Sequence, residues 1–374
     1  MVAAASVVVA VGSVTGTMAA VGDGSGPDTA RPAATSSPRP GPPPAAPSPT
    51  PSATGSPSPE AEASPRRRAS PEPSASRARR TPRAAPASPG LHLHPRSQVL
   101  DWVRAHPDDP RRAVIESRIA DRPAAVWFAD HSPDTITARV RAVASAGAAL
   151  GRVPVLVPYA IPGRDCDGHS RGGAPDLDAY DGWIDRFAAG LGAGEVIVIL
   201  EPDSVAQADC LSAGERADRF ASLARAGRVL KAANPRARVY FDAGHSGWNA
   251  PAEQAGRLRQ AGAASAESSD GIFSNVSNFH GTADEIAYDR AVLDALGGPP
   301  GLGAVIDTSR NGAGAPADGE WCDPAGRKLG RAPTLSTGEA RIDGYLWVKL
   351  PGESDGCKGA PGTFTPSYAY DLAR

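Results

Sequence analysis

The stretch Glu195-Val-Ile-Val-Ile-Leu-Glu-Pro-Asp203 decides the fold of this chain. Its centre is apolar at every position, so a strand formed here would bury both faces, as the strands of a helix-covered parallel sheet do. Two carboxylates follow at the point where such a strand would end. The run 154–159 has the same character. We therefore expect a parallel sheet or barrel with polar groups at the carboxyl ends of its strands.

Strand-like and helix-like segments alternate over the rest of the folded part. The candidate strands are 126–129, 154–159, 195–201, 238–242, 271–277, 303–307 and 344–350, and the candidate helices are 134–149, 176–191, 212–233, 251–262, 282–296 and 366–373. Ser212 and Glu215 form a capping-box pattern at one helix start. Seven strands that alternate with helices predict a TIM-like α/β fold, a (β/α) barrel. An open doubly wound sheet is the alternative.

The composition divides the chain near residue 90. Residues 1–90 contain no Trp, Tyr, Phe, His or Cys, and 17 of the 38 prolines lie in residues 31–90. Such a segment cannot bury enough apolar surface to offset the entropy of ordering the chain. We therefore assign residues 23–90 to a disordered linker rich in Pro, Ala, Ser and Arg, and residues 91–374 to a single folded domain.

Residues 1–22 are uncharged and rich in Val and Ala, which is typical of the apolar part of a secretory signal. We expect a secreted, extracellular protein. The alternative is a protein that remains anchored to the membrane through residues 1–22, because this stretch is long enough to span a bilayer.

Charge and motifs exclude several classes of ligand. The chain carries a formal charge of −2, of which +6 falls in residues 31–90 and −2 in residues 1–30, so residues 91–374 carry −6. An acidic folded part argues against binding of nucleic acid. Neither a dinucleotide-binding fingerprint nor a phosphate-binding loop occurs in the sequence, so we expect no nucleotide and no cofactor. We also expect a monomer.

The four cysteines predict disulfides. An even number in an exported chain favours pairing, and three connectivities are possible. The spacing contains no Cys-x-x-Cys, and we therefore expect no metal site. His92 and His94 form an isolated His-x-His pair, which we interpret as part of a solvated segment without metal.

Carboxylates follow five of the predicted strands. They are Asp165, Glu201 with Asp203, Asp242, Asp307, and Glu353 with Asp355. In a barrel, the carboxyl ends of the strands meet at one rim, where catalytic groups lie. Crowded carboxylates raise one another's pKa and leave one of them protonated near neutral pH. One protonated acid beside a charged base is what hydrolysis of a glycoside requires.

Tryptophans accompany these carboxylates. Trp127, Trp248 and Trp321 lie at or near strand ends, where an indole face can stack on a sugar ring. The other three, Trp102, Trp183 and Trp347, lie inside helix or strand runs, and we expect them in the core.

The same residues carry a family resemblance. The motifs are Tyr159-Ala-Ile-Pro-Gly-Arg-Asp-Cys166, Glu201-Pro-Asp203, Tyr240-Phe-Asp-Ala-Gly-His-Ser246, Val305-Ile-Asp-Thr-Ser-Arg-Asn-Gly312, Glu320-Trp-Cys-Asp-Pro324 and Trp347-Val-Lys-Leu-Pro-Gly-Glu-Ser-Asp-Gly356. In this order they resemble the family 6 glycoside hydrolases, which are inverting β-1,4-glucanases. The resemblance covers about residues 95–374 and implies a distorted seven-stranded (β/α) barrel.

The resemblance also implies roles for individual residues. It assigns Asp203 as the general acid, Asp165 as the neighbour that raises the pKa of this acid and helps to hold the water, and Asp355 as the candidate base. Further residues match positions that bind or crowd the substrate: Tyr159, Trp127, Asp242, Trp248, Trp321, Lys349 and Glu353. The cysteines match the family's pairs, Cys166–Cys210 and Cys322–Cys357. No metal or cofactor is implied.

One position departs from the family pattern. Arg171 stands where the family often has a serine on a mobile loop that helps to place the water, and Ser170 precedes it. The segment from Trp321 to Asp355 is short, which predicts an open cleft and internal cleavage of cellulose or a soluble β-glucan. The alternative function is a catalytically weak or inactive glycan-binding protein of the cell envelope.

Overall fold

The computed structural model describes residues 90–168 and 170–374. The predicted signal segment 1–22 and the predicted linker 23–90, apart from Gly90, lie outside the described residues. None of the helices in the described part of the chain combines the length and the apolar character that a membrane span requires.

The centre of the fold is a sheet of seven parallel strands in sequential order. The strands are β1 (Val126–Phe128), β2 (Val155–Pro158), β3 (Val196–Leu200), β4 (Ala237–Asp242), β5 (Gly271–Ser274), β6 (Gly303–Asp307) and β7 (Ile342–Leu346). All seven predicted strands are present. The last one ends before Trp347, so residues 347–350 belong to the loop that follows it, where the prediction had extended the strand.

The sheet curls until its first and last strands meet. The N–H of Ala125, just before β1, donates a hydrogen bond of 2.9 Å to the carbonyl of Trp347, just after β7. The fold is therefore the distorted seven-stranded (β/α) barrel, and the alternative of an open doubly wound sheet is wrong. The start of β1 therefore lies beside the end of β7, at the rim where the other strands end.

Helices cover the outside of the sheet. They are α1 (Gln98–Ala105), α2 (Arg112–Ile115), α3 (Ile136–Ala149), α4 (Leu177–Ala188), α5 (Ala213–Ala233), α6 (Pro251–Gln260), α7 (Thr282–Leu296) and α8 (Pro366–Ala373). A π-helical turn follows α2 at Glu116–Ala120. The capping box predicted for α5 is confirmed, since the Ser212 hydroxyl accepts from Glu215 N and the Glu215 carboxylate accepts from Ser212 N. Neither α1 nor α2 was predicted.

The apolar strand β3 shows how the core is divided. Val196 and Val198 face outward into the layer between sheet and helices, where they join Trp183 of α4. Ile197 and Ile199 face inward and fill the barrel. Because both faces are buried, the sequence of β3 is apolar throughout. Burial on both sides fixes the strand axis and therefore the position of the residues that follow it, Glu201 to Asp203.

Candidate active site

A cleft of about 1250 Å³ crosses the carboxyl end of the barrel. Nine of the ten residues predicted to act on or bind the substrate line it: Trp127, Tyr159, Asp165, Asp203, Trp248, Trp321, Lys349, Glu353 and Asp355. Seven different strands or their loops contribute to the wall, so the parallel topology is what brings these residues together.

Asp203 has the environment of a protonated acid. Burial raises the pKa of its carboxyl group well above the usual range, and the nearby charges of Asp242 and Asp165 raise it further. The cation of Lys349 opposes this shift. The carboxyl group makes no hydrogen bond to another described residue, so no hydrogen bond from this part of the chain stabilises its charged form. Asp203 therefore keeps its proton near neutral pH.

Asp242 lies beneath Asp203 and is 2% exposed. Its carboxylate accepts hydrogen bonds from the backbone N–H groups of Val205, Ala206 and Gly244, at 3.1, 2.8 and 3.0 Å. Burial raises the pKa of Asp242, whereas these donors lower it by stabilising the charged form. In the Asp203–Asp242 pair we therefore place the proton on Asp203. Asp242 is the one predicted substrate-binding residue that does not line the cleft. Its charge acts on the cleft by raising the pKa of Asp203.

The Asp165 loop is held in an unusual backbone conformation. Asp165 and Cys166 have φ values of 61° and 44°, and Glu201 and Asp203 on the facing loop have 48° and 70°. Non-glycine residues rarely adopt these angles, and such strain concentrates at functional sites. The disulfide Cys166–Cys210 joins the two loops.

The second disulfide, Cys322–Cys357, joins the loop of Trp321 to the loop of Asp355. Both disulfides are the pairs that the resemblance implies, and the chain has no free cysteine. Each one fixes a loop that carries a predicted catalytic residue.

The loop around Arg171 contributes to the same wall. Ser170 N donates to Asp165 Oδ2 at 2.5 Å, and both Ser170 and Arg171 line the cleft. Arg164 lies with its guanidinium carbon 4.4 Å from the centre of the Tyr159 ring and donates to the carbonyl of Ala129. Arg164 thus orients Tyr159, while the side chain of Arg171 is left exposed.

Asp355 forms ion pairs with two cations. Arg310 Nη1 lies 2.7 Å from its Oδ2 atom, and Lys349 Nζ lies 3.4 Å from its Oδ1 atom. The N–H of Asp323 also donates to Oδ2, at 3.1 Å. These partners hold Asp355 in place, and they leave mainly Oδ1 available to accept a proton.

Two other strand-end carboxylates face the backbone instead of the rim. Glu201 is fully buried and accepts from the N–H groups of Ala160 and Ile161, and its burial raises its pKa to about 7. Asp307 accepts from Lys349 N at 3.0 Å and Ser309 N at 2.9 Å. Not every predicted strand-end carboxylate therefore reaches the rim, and these two build the loops that do.

Five of the six tryptophans lie where the sequence predicted, whereas Trp102, predicted in the core, is half-buried at its edge. Trp248 and Trp321 are 36% and 51% exposed and present indole faces to the cleft. Trp127 is half-buried, with its ring nitrogen donating to the carbonyl of Val348 at 2.7 Å. Trp183 and Trp347 lie in the core, at 0% and 3% exposure.

The cleft also contains residues that were not predicted from the sequence. Gln98, at the start of α1, lines the cleft and donates to Glu353 Oε1 at 3.2 Å. His245 and His280 line it on the side of Trp248. Gln98 precedes β1 in the chain, and the start of β1 lies beside the end of β7. A search for polar residues that follow the strands therefore does not find Gln98. His245 could have been found, because it follows β4 by three residues.

No group of three or more His, Cys, Asp or Glu side chains in the described part of the chain is arranged to hold a metal ion. The cleft brings together the carboxyl groups of Asp165, Asp203, Glu353 and Asp355, and burial with nearby negative charge keeps Asp203 protonated. A neutral acid beside charged carboxylates, between exposed tryptophans on a barrel rim, defines the class of glycoside hydrolases.

Comparison with known proteins places the chain within this class. The model of the family described as glycosyl hydrolases family 6 matches residues 92–369, and the chain belongs to this family. Endoglucanase 1 of Streptomyces sp. (strain KSM-9) is 51% identical over 289 residues, which are 77% of this chain and 79% of that protein. Endoglucanase A of Thermobispora bispora is 49% identical over 284 residues, which are 76% of this chain and 61% of that one.

A solved structure supports the same conclusion. The endoglucanase Cel6 from Mycobacterium tuberculosis, in complex with methyl-cellobiosyl-4-deoxy-4-thio-β-D-cellobioside, is 39% identical with a TM-score of 0.71. The match covers 76% of this chain and 97% of that one.

Proposed function

We propose that the protein is an endo-β-1,4-glucanase, which cleaves internal bonds of cellulose or soluble β-glucan with inversion of configuration. The observation that carries the proposal is the neutral carboxyl group of Asp203, which lines the cleft among charged carboxylates. The relatives named endoglucanase and the cello-oligosaccharide analogue bound to the Mycobacterium tuberculosis enzyme support the choice of substrate.

The geometry supports a mechanism with a single displacement. Asp203 donates its proton to the glycosidic oxygen as the bond from that oxygen to the anomeric carbon breaks. A water molecule attacks the anomeric carbon from the opposite face and loses a proton to a base, for which Asp355 is the candidate. The charges of Asp165 and Asp242 keep Asp203 protonated until the leaving oxygen develops negative charge.

The open cleft supports internal cleavage. Trp248 and Trp321 remain substantially exposed, so their faces are open to a polymer that enters from the side. An enzyme that encloses the chain end would bury such faces under its loops.

A comparison of viscosity with reducing ends tests the function. On carboxymethylcellulose, the wild-type protein is expected to lower the viscosity early, while few reducing ends have formed. D203N is the control and should release almost none. Binding of the glucan without release of reducing sugar would contradict the proposal and favour the alternative of a glycan-binding envelope protein.

We further propose that the protein is exported and acts outside the cell. The two disulfides support an oxidising compartment. The test is fractionation of producing cells, followed by determination of the N-terminus of the active form. Activity in the medium, with residues 1–22 removed, is expected. Active protein that stays with the membrane and retains these residues would favour an anchor.

We also propose that the protein acts as a monomer, because the predicted substrate-binding and catalytic residues all come from one chain. Light scattering of the purified protein should give a mass near 38.2 kDa, less any removed segment. A mass of twice this value, independent of concentration, would contradict this.

A further inference from the structure

Helix α7 carries two buried carboxylates that the mechanism does not use. Glu285 and Asp289 lie one helical turn apart on the same face, and both are 0% exposed. Two like charges at this spacing repel each other, and burial makes each charge costly. We therefore expect the two carboxylates to bind specific groups around them.

The contacts of the pair point to the cleft. Glu285 Oε1 accepts from the N–H of Ser246 at 2.9 Å, and Asp289 Oδ2 accepts from the Ser274 hydroxyl at 3.0 Å. Glu285 Oε2 and Asp289 Oδ1 have no hydrogen-bond partner among the described residues. Burial and the charge of Glu285 hold the pKa of Asp289 well above its usual range. Asp289 is therefore the member of the pair that holds a proton, while the hydrogen bond from Ser246 N lowers the pKa of Glu285 against the effect of its burial.

Ser246 belongs to a four-residue turn, 245–248, which we call the Trp248 turn. Trp248 N donates to the carbonyl of His245 at 3.0 Å and closes it. Three of the four residues, His245, Gly247 and Trp248, line the cleft. The fourth residue, Ser246, does not line the cleft, and its N–H donates to Glu285.

His280, two residues before the start of α7, makes a second contact with this turn. His280 stacks on His245 with ring centres 4.2 Å apart and an angle of 18° between the planes. A Cβ atom on Gly247 would lie 2.5 Å from His280 Cε1, so the turn packs against His280 without space for a larger residue. Glu285 and His280 therefore hold the turn from the side of α7, and His245 passes this contact on to Trp248, with ring centres 5.2 Å apart.

We propose that Glu285 is a positioning residue, which sets the indole face of Trp248 against the glucan through its hydrogen bond to Ser246 N. This inference rests on the proposed glucanase function and on Trp248 as a sugar platform. Glu285 itself does not line the cleft and takes no part in the chemical step.

A double-mutant cycle tests the proposal, with kcat and KM measured on cellohexaose. W248A should lower kcat/KM by about tenfold through loss of stacking on a sugar. E285A should lower kcat/KM in the same direction, by roughly fivefold, mainly through KM. E285Q keeps an oxygen for Ser246 N and should stay within about twofold of wild type. In the W248A background, E285A should cause almost no further loss.

Y288F is the matched control, because the Tyr288 hydroxyl of the same helix donates to the carbonyl of Ala243 at 2.8 Å, outside the Trp248 turn. Its effect should be on thermal stability, and any effect on kcat/KM should be the same with and without Trp248. If E285A does not fold, E285D, which withdraws the carboxylate by one methylene, enters the same cycle.

Effects of Glu285 and Trp248 that multiply independently would overturn the proposal, as would an E285Q variant as impaired as E285A. Failure of the proposed function is a separate outcome: the wild-type protein itself would then release no sugar from cellohexaose.

Discussion

Arg310 Nη1 lies 2.7 Å from Asp355 Oδ2, and the two side chains are 0% and 6% exposed. The arginine makes a further hydrogen bond to the carbonyl of Ser277 and lies over the ring of Phe279. A buried cation of this kind depends on its anion, because removal of one partner leaves the other charged and desolvated.

The first prediction concerns Asp355. D355N should destabilise the fold by roughly 3–5 kcal/mol, because Arg310 loses its counter-charge in a buried site. Urea unfolding at pH 7 measures the change. Loss of activity in this variant has to be read together with its loss of stability. A D355N protein as stable as wild type would show that Arg310 finds another partner.

Asp203 should behave in the opposite way. Burial and neighbouring negative charges raise the pKa of Asp203 in the folded protein. Above the ordinary pKa of an aspartate, the unfolded chain loses this proton while the folded protein keeps it, and this difference lowers the stability of the fold. D203N removes that cost. We therefore expect almost complete loss of turnover together with an unchanged or higher melting temperature at pH 7, and a smaller difference at pH 4. A melting temperature that falls as far as in D355N would contradict this description of Asp203.

The charge of Asp242 should set the alkaline side of the pH profile. The acid must be protonated to act, so activity declines as pH rises through the pKa of Asp203. D242N removes a charge that raises this pKa, and the alkaline limb of kcat/KM should move to lower pH. D307N is the matched control, since the Asp307 carboxylate faces Lys349 N and Ser309 N at the end of β6. An alkaline limb that moves equally in both variants would contradict the role of Asp242.

Stability should depend on pH through Glu201 and Glu353. Burial raises the pKa of each to about 7 from an ordinary value near 4.5, so the folded protein binds their protons more tightly than the unfolded chain does. Their contribution to stability is present below pH 4.5 and is lost as pH rises to about 7. The melting temperature should fall over this window, and less so in E201Q and in E353Q. Equal slopes in wild type and both variants would contradict the assignment.

The two disulfides should differ in their effect on activity. Both close loops of similar length, with sequence separations of 44 and 35, so each should stabilise the fold by about 4 kcal/mol in the chain-entropy account. Asp355 keeps Arg310 and Lys349 when Cys322–Cys357 is lost, whereas Cys166–Cys210 joins the two loops that carry Asp165 and Asp203. The double variant C166S/C210S should therefore lose more kcat at 25 °C than C322S/C357S. Equal losses would show that the first disulfide has no special role at the site.

The sequence predicted the barrel because β3 and its neighbours are apolar on both faces and the residues that follow them are charged. The strand-end pattern alone could not separate Asp203 from Glu201, two residues away, because the direction of each carboxylate depends on the backbone angles of the turn, and only the family resemblance chose Asp203. The strand-end pattern also missed Gln98, because this residue precedes the first strand and contacts Glu353, which follows the last strand. Motif order therefore located the site, while the pattern of burial decided which carboxylates face the substrate.

The configuration of the first product shows directly whether the reaction is a single displacement with inversion. Proton NMR of cellohexaose during the first minutes of hydrolysis by the wild-type protein should show new reducing ends in the α configuration, before mutarotation, because a single displacement inverts the β-linked centre. D203N should show none. New reducing ends that appear first in the β configuration would contradict the mechanism in which Asp203 protonates the leaving oxygen while water attacks from the opposite face.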